Sequence, residues 1–162
     1  GVGDLGPAPA PKNSFLIGQG SETWWWRVER HVANARAVAT WLEDREDVLS
    51  VNYASLPSSP YHALAERYLP QGAGAVMAFE IAGGREAGTK FVSALKLHSH
   101  VANIGDVRSL VIHPASTTHS QLSEDAQRAA GVTPGLVRLA VGIEHIDDIL
   151  ADLELGFVAA RA

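Results

Sequence analysis

The segment GLVRLAVGIE, residues 135–144, places one arginine in the middle of an apolar run that is typical of a buried strand. A guanidinium that leaves water without a partner carries a large free-energy cost. Arg138 therefore points to solvent on a one-sided strand, forms an ion pair with Glu144 or Asp147, or ends in a cleft. In a cleft its planar fork can bind a carboxylate through two parallel hydrogen bonds. The residues alone leave these three alternatives open.

A second concentration of polar side chains occupies HPASTTHSQLS, residues 113–123, which holds two histidines, three serines and two threonines. This segment follows a strand-like run and precedes a helix-like one. It is therefore predicted to be a loop at a strand end, where functional groups are often found. A loop rich in hydroxyls can also satisfy its own backbone groups, and composition alone favours that interpretation.

Four histidines, His98, His100, His113 and His119, lie close enough in sequence to raise the question of a metal site. Zinc sites usually add a carboxylate or thiol ligand at a regular spacing, and no HExxH pattern is present. We therefore expect no metal site. GxSxG, Walker and GxGxxG motifs are also missing, and GAGAVMAFE opens a strand rather than a phosphate-binding helix.

Composition limits the function classes further. The chain has 162 residues, of which 46% are hydrophobic and 19% charged, which is enough for one domain with a core. Its formal charge of −5 without a basic stripe argues against a nucleic-acid partner, and the sequence has no apolar run long enough for a membrane span. The lack of cysteine excludes disulfides and thiolate chemistry and is compatible with the cytoplasm, the compartment that we expect.

The order of elements predicts an α/β (α+β) domain. Residues 1–20 are rich in proline and glycine and predict an interdomain linker, and residues 21–46 carry apolar side chains at spacings of three and four and predict a long linking helix. Residues 47–162 alternate strands and helices, which predicts a mixed or antiparallel sheet of about four or five strands with helices packed on one side. Because the chain begins without methionine in a linker-like segment, we expect a fragment of a longer protein.

Within residues 47–162, turn signals and periodicity divide the chain into short elements. Ser123 is predicted as the N-cap of a short helix that Gly131 ends. The predicted strands are VLSVNYA, GAVMAFEI, SHVAN, SLVIHP and LVRLAVG, and the predicted helices are YHALAERYL, REAGTKFVSALKL, SEDAQRAAG and HIDDILADLELGFVAA.

Two longer segments, NIGDVRSLVIHPASTTHSQL and TPGLVRLAVGIEHIDDILADLELGF, closely resemble the C-terminal domain of the Cys/Met-metabolism enzymes that depend on pyridoxal phosphate (PLP). Within that family, NIGD and PASTTHSQL are most similar to the O-acetylhomoserine sulfhydrylase subgroup, whereas relatives such as cystathionine γ-synthase tend to carry serine at the position of Asn103. The resemblance covers nearly the whole chain. It implies the small C-terminal domain of a fold-type-I PLP enzyme, without the larger PLP-binding domain.

The resemblance also implies a substrate site on this chain. The arginine of the family motif LVRLSVG, here Arg138, binds the α-carboxylate of the amino-acid substrate, and Asn103 lines the same site. Thr118 matches a threonine near that site and is expected to support it. Ser116 and His119 belong to the same loop and are weaker candidates.

The implied whole enzyme is a homo-oligomer, usually a tetramer, that replaces the acetate of O-acetyl-L-homoserine with sulfide or a thiol. This chain has only Lys12, Lys90 and Lys96, and none lies in the Ser/Thr-rich segment that carries the family's PLP lysine. We therefore expect no PLP on this chain alone, no activity from it, and PLP bound by the missing domain. A γ-lyase, a cystathionine γ-synthase and a stand-alone amino-acid-binding or interaction domain remain as alternatives.

Three consecutive tryptophans, residues 24–26, replace the Leu-rich segment that the family usually has at this point. Side chains of this size cover several faces of a helix start, and an interface between domains is one interpretation. The sequence assigns them no catalytic role.

Overall fold

The computed structural model describes residues 6 and 8–162, which form six helices and five strands. The helices are α1 (Pro11–Glu22), α2 (Trp24–Glu43), α3 (His62–Tyr68), α4 (Gly84–Ala94), α5 (Glu124–Ala129) and α6 (Ile146–Arg161). The strands are β1 (Val48–Asn52), β2 (Val76–Ile81), β3 (Ser99–His100), β4 (Leu110–Ile112) and β5 (Leu136–Ala140). Pro114–Ser116 adds one short 3-10 turn.

The five strands form one mixed sheet in the order β1-β2-β5-β4-β3. The β3–β4 pair is parallel and the other three pairs are antiparallel. β5, the strand that carries Arg138, is central and is hydrogen-bonded on both edges. The predicted sheet of four or five strands is confirmed.

One face of this sheet meets the helices and forms the core. Phe79 on β2 packs edge-on against Phe91 of α4, with ring centroids 5.6 Å apart, and its ring centroid lies 6.0 Å from that of Phe157 of α6. Val137 and Leu139 of β5 point into the same cluster and are fully buried. Helices α2, α4 and α6 all contribute buried apolar residues to it, which confirms helices on one side of the sheet.

The N-terminal part of the chain differs from the prediction. Residues 11–20 of the predicted linker belong to α1, which starts with a proline at its first turn, where the missing N–H is not needed. None of its residues is buried, so packing within this domain contributes little to the stability of α1. Residues 1–5 and 7 of the predicted linker lie outside the described residues, and the assignment of an interdomain linker remains a prediction.

The long linking helix is also shorter than predicted. Instead of residues 21–46 as one helix, α2 runs over Trp24–Glu43, and Thr23 separates it from α1 with a non-helical backbone. The apolar stripe holds for Ala35, Ala39 and Leu42, which are fully buried. Trp24, Trp25 and Trp26 are 63%, 59% and 67% exposed, so they add nothing to this domain's core.

The short elements around the site follow the predicted turn chemistry. The Ser123 side chain accepts a hydrogen bond from the Ala126 N–H and caps α5, and Gly131 has a φ of 75°, the left-handed conformation typical of glycine after a helix. SHVAN was predicted as a full strand, but only Ser99 and His100 pair with β4. No helix among the described residues has the length and apolarity needed to span a membrane.

Candidate substrate-carboxylate site

Arg138 lies on the sheet face opposite the helices. Successive side chains of a strand point to opposite faces, and its neighbours Val137 and Leu139 are in the core. Arg138 is paired across the sheet with Ala78 of β2 and Ile112 of β4. Because Ala78 is small and Ile112 is apolar and buried, Arg138 supplies the polar side chain at this position of the sheet.

The Arg138 guanidinium has a definite partner within the chain. Its Nη2 donates a hydrogen bond of 2.9 Å to the backbone carbonyl of Asn103. A carbonyl oxygen orients the guanidinium but carries no full negative charge, so this contact does not neutralise it. The positive charge of the guanidinium therefore remains available to bind an anionic ligand.

The ion pairs that the sequence left open for Arg138 are not formed among the described residues. The carboxylate of Glu144 accepts hydrogen bonds from the Ser109 N–H and hydroxyl instead. Asp147 lies near His145, with 3.6 Å between its Oδ2 and the histidine Nδ1. Arg138 is half-buried rather than fully in solvent and lies in the wall of a cavity.

A cavity of about 650 Å³ lies on the same face of the sheet as Arg138. Thr118 and His119 line it together with Arg138, and the Thr118 hydroxyl lies 2.8 Å from His119 Nδ1. Asn52, the last residue of β1, Tyr53 and Gly131 form other parts of its wall. Two residues of the loop 113–123 thus lie in the wall of the cavity that also contains Arg138.

Asn103 reaches Arg138 through its backbone rather than through its side chain. Its carbonyl accepts from Arg138, whereas its side-chain Oδ1 accepts from the Ile104 N–H at 2.8 Å. Asn103 is exposed and does not line the cavity that contains Arg138. The side chain therefore shapes the turn, and the carbonyl of the same residue orients the guanidinium.

Other side chains of the hydroxyl-rich loop form hydrogen bonds that stabilise the loop itself. His113 is fully buried, and its two ring nitrogens lie 2.8 Å from the Ser116 hydroxyl and 2.7 Å from the Pro134 carbonyl. Burial lowers the pKa of His113 and favours the neutral ring. The Thr117 hydroxyl donates to the His113 carbonyl. Ser116 therefore positions His113 and is not at the cavity.

The histidines do not converge on a metal site. His98 Nδ1 lies 2.8 Å from the Asp152 carboxylate in the interior, and His113 is used as described above. The described residues contain no group of three or more histidine, cysteine, aspartate or glutamate side chains that could hold a metal ion. The buried His98–Asp152 pair was not anticipated, because its members are separated by more than fifty positions in the sequence.

The lysines of the chain do not form a PLP site either. No lysine is among the residues that line the cavity of Arg138. Lys90 pairs with Glu86 on the surface of α4 at 2.9 Å, and Lys12 lies on the exposed helix α1. The lining of this cavity therefore offers no lysine for the covalent attachment of PLP.

Comparisons with known proteins give a consistent result. The chain is 49% identical over 154 residues to O-acetyl-L-homoserine sulfhydrylase 1 of Thermus thermophilus and 51% identical over 156 residues to O-acetyl-L-homoserine sulfhydrylase of Corynebacterium glutamicum. These matches cover 95% and 96% of this chain but only 37% and 36% of the relatives. The chain thus spans little more than a third of the length of the curated relatives it matches.

Two solved structures share the fold. An O-acetylhomoserine (thiol)-lyase structure from Campylobacter jejuni superimposes with a TM-score of 0.85 at 42% identity, over 96% of this chain and 37% of that one. Cystathionine γ-synthase from Xanthomonas oryzae, in complex with cystathionine, gives 0.84 at 39% identity, over 98% and 41%. The family model for Cys/Met metabolism PLP-dependent enzymes matches residues 2–158. The chain belongs to the Cys/Met metabolism PLP-dependent enzyme family.

Proposed function

We propose that this chain is the substrate-carboxylate-binding part of a PLP-dependent O-acetylhomoserine sulfhydrylase. The whole enzyme would replace the acetate of O-acetyl-L-homoserine with sulfide or a thiol and yield homocysteine or methionine. Relatives of that name at about half identity support the assignment of the subgroup. The observation that carries the proposal is the half-buried Arg138, oriented by a neutral carbonyl and facing a cavity.

The part played by this chain is binding and orientation. The Arg138 fork would receive the α-carboxylate of the amino acid in two charge-assisted hydrogen bonds, which fix the direction of the Cα–H bond. Thr118, as a hydroxyl on the same cavity wall, would donate or accept a further hydrogen bond to the bound amino acid. Asn103 would act through its carbonyl, which holds the guanidinium in place.

The remaining components of the enzyme are part of the same proposal. PLP would be bound by a larger domain of the full-length protein, since no lysine of this chain lines the cavity of Arg138. We further propose that the full-length enzyme is cytoplasmic and a homotetramer, and that this chain without the larger domain is inactive. The size of the relatives supports a larger domain, because the chain matches little more than a third of each.

The test is the replacement of Arg138 in the full-length enzyme. Arg138→Ala removes a bidentate contact to a charged group, so KM for O-acetylhomoserine should rise about a hundredfold. Arg138→Lys keeps the positive charge but loses the bidentate geometry, so its KM should lie between those of Arg138→Ala and the unmodified enzyme. KM for sulfide should change little. Steady-state kinetics with each substrate varied in turn make the measurement.

The control for this experiment is Arg161→Ala. Arg161 lies at the end of α6 and bonds to Asp47 and Glu154. Its loss should leave both KM values unchanged. Equal KM values for O-acetylhomoserine in Arg138→Ala and the unmodified enzyme would remove Arg138 from the site.

A cystathionine γ-synthase is the second candidate, and the similarity to the Xanthomonas oryzae enzyme supports it. The two reactions differ in the nucleophile that adds to the amino-acid substrate. A product assay with sulfide and with cysteine in parallel separates them: predominant formation of cystathionine would favour the synthase, and homocysteine the sulfhydrylase.

A further inference from the structure

The carbonyl that orients Arg138 lies on a segment with little apolar packing. We define the 101–109 loop as residues 101–109, between β3 and β4. Within it Val101, Ile104 and Val107 are 46%, 63% and 44% exposed. Because burial of these side chains does not hold the loop, its position depends on hydrogen bonds. Any group that supplies those bonds also determines where the Asn103 carbonyl lies.

The Glu144 carboxylate supplies such bonds at the C-terminal end of the loop. Its Oε1 accepts from the Ser109 N–H at 2.6 Å, and its Oε2 accepts from the Ser109 hydroxyl at 2.9 Å. The same hydroxyl accepts from the Gly142 N–H at 2.9 Å, and the Ile143 N–H donates to the Val107 carbonyl at 2.9 Å. Ser109 is fully buried, so these bonds are shielded from water.

The backbone after β5 is shaped to allow this approach. A Cβ atom at Gly142 would lie 2.5 Å from both the Ser109 nitrogen and the Val107 oxygen, distances that no side chain can accommodate. From the other side, the buried Asn34 of α2 donates to the carbonyls of Gly142 and Glu144 at 3.0 and 2.9 Å. The backbone of the segment that carries Glu144 is therefore held by α2 independently of its contacts with the loop.

The middle of the loop has its own constraint. Arg108 donates to both carboxylate oxygens of Asp106, from Nε at 3.2 Å and from Nη2 at 3.0 Å. This pair stiffens the turn but connects to nothing outside it, so it cannot set the position of the loop on the sheet. The side chains that connect the loop to β5 and the segment after it are Arg138, which contacts Asn103, and Glu144, which contacts Ser109.

We propose that Glu144 is a positioning residue for substrate binding: through Ser109 it anchors the 101–109 loop, and thereby holds the Asn103 carbonyl against the Arg138 guanidinium. Gly142 follows Arg138 by four positions along the strand and its continuation, so hydrogen bonds hold the loop both at Arg138 and just beyond the end of β5. Loss of the anchor frees the carbonyl to move and lets the guanidinium rotate. This inference rests on the proposed role of Arg138 as the carboxylate ligand.

The test uses Glu144→Gln and Glu144→Ala in the full-length, PLP-containing enzyme. Glutamine keeps one acceptor for the Ser109 N–H, and alanine keeps none. KM for O-acetylhomoserine should rise about threefold for glutamine and about tenfold or more for alanine, with KM for sulfide unchanged and kcat less affected. Ser109→Ala, which removes only the hydroxyl, should resemble Glu144→Gln and provides the test if a Glu144 variant fails to fold.

A double-mutant cycle separates positioning from general destabilisation. In an Arg138→Ala background the Glu144→Ala change should add no more than about twofold to KM, because the guanidinium that it positions is gone. Glu154→Gln is the matched control, since this carboxylate also accepts hydrogen bonds, from Arg45 and Arg161, but lies on α6 and makes none to the loop among the described residues. It should leave KM for both substrates unchanged.

The outcomes distinguish this inference from the proposed function. An unchanged KM in Arg138→Ala would overturn the assignment of the carboxylate site itself. A raised KM in Arg138→Ala with unchanged values in Glu144→Ala and Ser109→Ala would overturn only the anchoring role. Equal effects of Glu144→Ala in the presence and absence of Arg138 would also overturn it, because the residue would then act on binding by another route.

Discussion

At the scale of single residues, the chain separates two kinds of polar group. Arg138 and Thr118 lie on a cavity wall, whereas His98, Asp152 and His113 are buried and bonded within the protein. Both kinds come from the same stretch of sequence, between positions 98 and 138 for all but Asp152. Residue type alone does not separate the two kinds, because burial and hydrogen-bond partners decide which polar groups can contact a ligand.

Asp152 gives a pH-dependent prediction at this scale. Burial opposes ionisation of its carboxyl, but the His98 side chain and the backbone N–H groups of Lys96, Leu97 and His98 outweigh that effect and hold its pKa well below the usual value. A carboxyl with a lowered pKa stabilises the fold fully above its unfolded pKa of about 3.9 and loses that contribution as the pH falls further.

The corresponding measurement is the free energy of unfolding in urea at about pH 6 and about pH 3.5. Asp152→Asn should lower it by about 2 kcal/mol or more at the higher pH and should flatten its decrease on acidification. Glu86→Gln is the control, since this exposed carboxylate on α4 pairs only with Lys90, and it should change stability little. A pH dependence of equal slope in Asp152→Asn and the unmodified chain would contradict the assignment.

At the scale of elements, close packing of α4 on α6 depends on one glycine. A Cβ atom at Gly156 of α6 would lie 2.7 Å from two ring carbons of Phe91 and 3.0 Å from Leu95. Helix propensity alone predicts that alanine stabilises a helix interior by about 1 kcal/mol over glycine. The aromatic ring is fixed by its neighbours, so overpacking should outweigh that gain.

We therefore expect Gly156→Ala to lower the free energy of unfolding by about 1–3 kcal/mol. Gly18→Ala on α1 is the matched control, because nothing lies within 4 Å of a Cβ there, and it should be neutral or slightly stabilising. Urea denaturation followed by circular dichroism gives both values. Stabilisation by Gly156→Ala would mean that α4 and α6 are farther apart than described.

The elements also explain how far the sequence could predict this structure. Periodicity predicted α2 and α6, because one face of each helix is buried, and apolar runs bounded by turn residues predicted β2 and β5. Helix α1 was missed since its glycines and neighbouring prolines resemble a linker and it has no buried face that would leave a pattern. SHVAN has the composition of a strand, but most of it is exposed, and only two of its residues find a partner.

The candidate site was predicted in part. The family resemblance identified Arg138, Asn103 and Thr118, but their roles in the enzyme remain predictions until kinetics test them. The hydrogen bonds between Ser109 and Glu144, 35 positions apart, and the use of the Asn103 carbonyl rather than its amide depend on tertiary structure. A single sequence contains no signal for either contact.

At the scale of the whole molecule, stability is concentrated in one aromatic cluster. The Phe157 ring is fully buried. Its centroid lies 4.8 Å from the ring centroid of Phe91 and 5.8 Å from that of Trp41. The Arg45 guanidinium lies 4.1 Å from the Phe157 ring centroid. Phe157 thus links α2, α4, α6 and the sheet. Because domains of this size are stable by only about 5–15 kcal/mol, loss of this ring removes a large part of the total.

Phe157→Ala should reduce the free energy of unfolding by about 3–5 kcal/mol. Phe15→Ala, on α1 with 62% of its side chain exposed, serves as the control and should stay within about 0.5 kcal/mol of the unmodified chain. Denaturant midpoints at constant slope provide the comparison. Similar losses for both variants would show that the cluster does not dominate the stability of the domain.

The central place of β5 has a consequence for how this surface can change over evolutionary time. A shift of its pairing by one residue would turn Arg138 toward the rings of Phe79 and Phe157 and turn Val137 and Leu139 toward water. A one-residue shift in the register of β5 is therefore unfavourable for two reasons: it buries the charge of Arg138 and it exposes two aliphatic side chains. If Arg138 binds a ligand as proposed, changes in ligand preference are expected to arise in the loops around the sheet, because a shift of β5 would also disrupt the core.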